Sequence, residues 1–234
     1  MECTIPVEIT PHAVAKLVLQ NEITLSDSWT EEQSRSVIQA IALLSIEEII
    51  NTIDTAETPV FSTDNIPQFG SVVSLARVPQ YVLQEGVSGL NYAQLGFRLK
   101  NDVYARMDAN IKYGENHGKG AALLGLICLC KKRFYPSVLT TGFCRLDDDK
   151  IRNDVIIRLF FRIPIVQTIL KEAKTHRING YCFMKGMKMT TQKRRGQCLR
   201  AIFREFGSLD NPVLSERICN VFWETDELEG IKKC

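Results

Sequence analysis

Residues 190–206, TTQKRRGQCLRAIFREF, place two opposed demands on a single helix. Leu199, Ile202, Phe203 and Phe206 recur at helical spacing and form a stripe that needs cover from other elements. Lys193, Gln197, Arg200 and Arg204 fall at i, i+4, i+7 and i+11 on another face, which must stay in water or meet an anion. Lys193, Arg194 and Arg195 also crowd the first turn, where positive charge opposes the helix dipole and needs a compensating negative group. A chain with this segment must build a helical core around one face and leave the other open.

With 234 residues the chain can bury such a core without disulfide staples, and at 45% hydrophobic and 24% charged it has a globular composition. No apolar run approaches the roughly 18 residues that cross a bilayer, and MECTIPVEIT lacks a basic segment followed by an apolar one. A cytoplasmic protein with no membrane partner is therefore expected. The eight cysteines are scattered and read as thiols. Cys128 and Cys130, in LLGLICLC, are one residue short of a zinc hook and have no second pair, so they read as small buried side chains and no metal is expected.

The net charge of +2 hides a division: residues 98–206 hold 23 Lys and Arg against 9 Asp and Glu, a net of +14, while the remainder is −12. That asymmetry points to a polyanion as the partner of the middle of the chain.

Residues 11–20 read as a short helix. A second begins at Ser28-Trp29-Thr30-Glu31, which fits a capping box, and Val37, Ile38, Ile41, Leu44, Ile49, Ile50 and Ile53 continue it as one amphipathic helix of about six turns. Polar residues with Pro59 and Pro67 then form a connector. Residues 72–85, 91–99 and a third helix ending near Leu126 precede a hairpin of strands 127–132 and 134–139, with Lys131, Lys132 and Arg133 at the turn. Asn91 is the expected N-cap of the second of these helices. Residues 153–162, 165–174 and 190–206 read as three further helices, the first two separated at Pro164.

In residues 112–120, KYGENHGKG, three glycines in seven positions imply close backbone approach, either to DNA or to another helix. Lys112, Tyr113, Asn116, His117 and Lys119 are the candidate contacts there. The stretch is not a Walker loop, because three residues rather than four separate Gly114 from Gly118 and Gly120 follows Lys119. Asp154 with Glu172 and Lys174 has a spacing that metal-dependent nucleases use, but both elements read as helices, so no catalytic residue is assigned. His12, His117 and His176 lack a nucleophile motif.

Ile66-Pro67, Val82-Leu83, Ala93-Gln94-Leu95-Gly96, the 112–117 run, Leu124-Gly125-Leu126 and Leu139-Thr140-Thr141-Gly142 resemble winged-helix modules of type II restriction-system and related bacterial DNA-processing proteins. The 190–203 stretch is similar to the closing helix of those modules. The resemblance covers about residues 66–206 and implies a DNA-recognition part that works with a nuclease or an ATPase; neither domain is recognisable in the chain itself.

The expected architecture is mainly α, with tandem winged-helix-like (helix-turn-helix) units and a small β-hairpin wing, preceded by an N-terminal helical region. The expected divisions are an acidic helical region at 1–65, one unit at 66–150, a second at 151–207 and an acidic tail at 208–234. The expected function is binding of double-stranded DNA, as the recognition component of a restriction or phage-defence system, with a nuclease or ATPase partner and a homodimer both open. A small metal-dependent endonuclease and an adaptor for an acidic protein are the alternatives. The DNA-contacting residues expected are Lys112, Tyr113, Asn116, His117, Lys119, Lys131, Lys132, Arg133, Lys193, Arg194, Arg195, Gln197, Arg200 and Arg204. No cofactor is expected.

Overall fold

The computed structural model describes residues 9–19, 23–100 and 106–224. The first eight residues, Gln20 of the first expected helix and residues 225–234 of the acidic tail lie outside them.

The fold is mainly helical, as the periodicities predict. Helix α1 spans Pro11–Leu19, α2 Glu31–Leu43 and α3 Ile46–Thr55. The single long helix expected over this region is instead two helices bent by 94°. Leu44 is extended and Ser45 Oγ accepts from Glu48 N at 3.1 Å, so a new N-cap starts α3 where the apolar spacing alone gave no reason to stop. The capping box sits two residues later than expected: Thr30 Oγ1 accepts from Gln33 N, and Gln33 Oε1 accepts from Thr30 N at 2.8 Å.

Next come α4 (Val72–Glu85), β1 (Leu90–Asn91), α5 (Tyr92–Lys100), α6 (Met107–Leu123), β2 (Ile127–Cys130) and β3 (Arg133–Pro136). Asn91 caps α5 as expected, its Oδ1 accepting from Gln94 N at 2.9 Å while Gln94 Oε1 accepts from Asn91 N. The three strands form an antiparallel sheet of order β1-β3-β2, in which Leu90 faces Phe134 and Cys130 faces Arg133. Lys131 and Lys132 alone connect β2 to β3.

The chain continues through α7 (Thr140–Cys144), α8 (Asp149–Phe160), α9 (Pro164–Glu172), β4 (Ile178–Asn179), α10 (Met189–Phe206), α11 (Pro212–Cys219) and β5 (Val221–Phe222), with β4 and β5 pairing in parallel. Pro164 opens α9 at its first position, where the missing N–H costs nothing. Every residue of α9 from Pro164 to Leu170 is buried. It is enclosed partly by α3, and Arg217 of α11 donates to Leu170 O at 3.2 Å.

One hydrophobic cluster runs across all four sequence segments, taking in Ile38 and Ile49, Leu75 and Phe134, Phe160, Ile169 and Phe206, and Leu214. Stacked rings centre it, Phe161 on Phe206 at 4.2 Å and Phe69 on Phe160 at 5.7 Å. Among the described residues no single helix is long and apolar enough to cross a membrane.

Candidate nucleic-acid interface

The glycines of α6 serve helix packing. A Cβ on Gly114 would lie 2.0 Å from Tyr92 O, and one on Gly96 would lie 1.9 Å from Asn110 O, so α5 and α6 touch backbone to backbone. A Cβ on Gly118 would enter the Phe134 ring at 2.1 Å. Of the two approaches the sequence leaves open, the one made here is to another helix. Gly114→Ala should therefore destabilise the fold by about 1–3 kcal/mol or more, because the obstructing atom is a main-chain oxygen and only separation of the helices relieves the clash. A melting temperature equal to the parent's would show that α5 and α6 tolerate that separation.

The same packing turns two candidates inward. His117 is 1% exposed, with Nδ1 3.0 Å from Tyr113 O and Nε2 accepting from Gly70 N at 3.4 Å. Burial lowers its pKa, so its neutral form fits this site. Tyr113 hydrogen-bonds Ser74 across the α4–α6 seam, its hydroxyl 2.9 Å from Ser74 Oγ, and its ring lies against the His117 ring. His117 is closed off from the surface, and Tyr113 is half-buried with its hydroxyl engaged in the seam.

Lys112 and Lys119 stay on the open side of α6. Both donate to Glu115, at 2.8 Å each, through different carboxylate oxygens. Burial works against the Glu115 carboxylate, but the two lysine hydrogen bonds hold its pKa below the ordinary value, so the cluster carries one net positive charge. Asn116 lies beside them. Across a cleft of about 340 Å³ stand Thr191, Arg194 and Arg195 of α10, together with the 64–68 segment. The structure thus brings together two clusters that lie about 80 positions apart in the chain.

On α10 the stripes fall as the spacing predicts. Leu199, Ile202, Phe203 and Phe206 are buried, while Lys193, Gln197, Arg200 and Arg204 are exposed. Arg194 is exposed as well. Arg195 differs from its neighbours: it is 8% exposed and donates from a guanidinium Nη to Ile66 O at 3.3 Å. The sequence ran the three basic residues together, but the helical turn sends the third toward the core.

Lys131 and Lys132 form the exposed tip of the hairpin at φ of +46° and +62°, the left-handed region that side chains other than Gly and Asn occupy at a cost. Arg133 is held back at the sheet, donating to Ser88 O at 3.1 Å and Gly89 O at 2.9 Å.

The nuclease trio does not assemble as a metal site. Lys174 Nζ is bound to Asp54 at 2.7 Å, and among the described residues no group of three His, Cys, Asp or Glu is placed to hold an ion.

No protein-family model, no curated protein and no solved structure matches the chain.

Proposed function

We propose that the chain binds double-stranded DNA, with residues 72–136 acting as a winged-helix unit and the exposed stripe of α10 as a second contact. The order helix, strand, helix, helix, hairpin, with the first strand paired to the far strand of the hairpin, fits that class, in which the third helix enters the major groove and the wing meets the flanking backbone. The observation that carries the reading is the hairpin tip. A two-residue turn with both φ values positive favours Asn-Gly, yet this one holds two exposed lysines, which the fold does not need. A phosphate backbone against the tip gives those charges a use.

Lys131, Lys132, Lys193, Arg194, Arg200 and Arg204 would supply cations, and Gln197 a side chain able to read adenine. Lys112, Asn116 and Lys119 would flank them from α6. The chain's own chemistry would be recognition, with cleavage or translocation left to a nuclease or ATPase partner in a restriction or defence system.

The double variant Lys131→Asn/Lys132→Gly tests the reading because its two effects run in opposite directions. Folding stability should rise by about 1–3 kcal/mol as the turn relaxes. Duplex affinity measured by fluorescence anisotropy should fall, with the slope of log affinity against log salt flattening by about two. Unchanged affinity in this stabilised variant would remove the wing from the interface.

A further inference from the structure

We infer that the cleft between α6 and the first turn of α10 is a seat for a phosphate group, carried either by a free ligand of mononucleotide size or by the backbone of a bound duplex. Only the second source rests on the DNA reading above.

The cleft combines charge, enclosure and unmet hydrogen bonds. Its cations are Lys112, Lys119, Arg194 and Arg195, and its acids are Asp64 and Glu115, leaving a net charge of +2. Glu115 is already shared by two ammonium groups, each of which keeps further N–H donors. Arg195 is the central observation. It is more than nine-tenths buried, and among the described residues it makes no ion pair and its Nε has no hydrogen-bond partner. A buried guanidinium with an unused donor is costly unless an acceptor arrives, and planar N–H forks suit phosphate oxygens. The opening of α10 adds to this. That 18-residue helix has no side-chain cap and no acid in its first turn, so its positive end is uncompensated.

Gln68, of the 64–68 segment that lines the cleft with α10, has its Oε1 buried without a partner among the described residues. An orphan acceptor and an orphan donor in residues lining one cleft suit a ligand with both an anion and an N–H or O–H group. A nucleoside phosphate has both, and a cleft of about 340 Å³ lies in the range of small-molecule sites.

The test titrates the intact protein with inorganic phosphate and with 5′-AMP by calorimetry, and with a DNA duplex by anisotropy, using the parent, Arg194→Gln, Arg195→Gln and, as an equal charge change at an exposed position of α1 away from the proposed contacts, Lys16→Gln. A free ligand predicts saturable 5′-AMP binding that weakens about tenfold or more in the two cleft variants and stays unchanged in Lys16→Gln. A backbone source predicts no saturable binding of either small probe, with duplex affinity reduced by Arg194→Gln and Arg195→Gln beyond any change in Lys16→Gln. The seat is overturned if neither small probe binds and the cleft variants hold duplex no worse than Lys16→Gln. Arg194 is exposed, so its variant decides the question even if Arg195→Gln unfolds. Duplex binding that persists in this last case leaves the DNA reading standing, and 5′-AMP binding without any duplex binding leaves the seat standing alone.

Discussion

Duplex affinity should fall about a thousandfold or more as salt rises from roughly 50 to 200 mM. Six cations proposed to face DNA, Lys131, Lys132, Lys193, Arg194, Arg200 and Arg204, are exposed and make no ion pair among the described residues. Each phosphate neutralised releases condensed counterions, and about six such contacts give a log–log slope near −5. Arg200→Ala should flatten that slope by about one if it meets phosphate, or lower affinity by about 1–3 kcal/mol and relax sequence preference if it meets a base. Its side chain is exposed and makes no ion pair among the described residues, so the melting temperature should hold. Affinity indifferent to salt would overturn the electrostatic reading.

Asp54→Ala should cost about 3–5 kcal/mol of stability, the second large effect. Asp54 receives both ends of the Arg217 guanidinium, at 2.8 and 2.9 Å, and Lys174 at 2.7 Å. Arg217 is 4% exposed, so removing the carboxylate strands a buried charge. Thermal melting should drop by roughly 10 °C for a chain of this size. A parent-like melting temperature would show that the clamp is dispensable. The Arg217 hydrogen bond lowers the Asp54 pKa even though burial opposes it. A depressed carboxylate pKa gives stability that is fully present above the ordinary Asp value and is lost as pH falls through the folded value. The stability gap between parent and Asp54→Asn should therefore be widest near neutrality and close in acid.

The faces of α10 are legible in the sequence because a 3.6-residue period fixes which side chains share a stripe whatever the stripe packs against. The break at Leu44–Ser45 is not, since the isoleucines keep helical spacing through it and only the third-residue bond from Ser45 to Glu48 marks the new start. Local charge also misleads at Arg195: three consecutive basic residues look alike in a string, yet a 100° turn per residue puts one of them against Ile66. His117 and Tyr113 fail as surface candidates for a related reason. The α6 glycines that suggested approach to DNA let α5 pack on the helix instead, while these two side chains turn toward Gly70 and Ser74 of the α4 side. The cleft itself joins residues from distant parts of the chain, a proximity that no local pattern carries.

The Asp54–Arg217 clamp also sets an order on biosynthesis. Its two residues stand 163 positions apart. At about 5–20 residues per second, on the order of 10–30 s separate their emergence from the ribosome. In the last part of that interval, about 2–9 s between the end of α9 at Glu172 and Arg217, the apolar sides of α9 have been made but α11, which carries Arg217, is not complete. The nascent protein passes through a period in which a surface destined for the interior faces solvent, and a holdase chaperone or fast closure by α1–α3 would have to shield it. Yield on expression should thus depend on translation speed between α9 and α11 more than on anything in the basic surface.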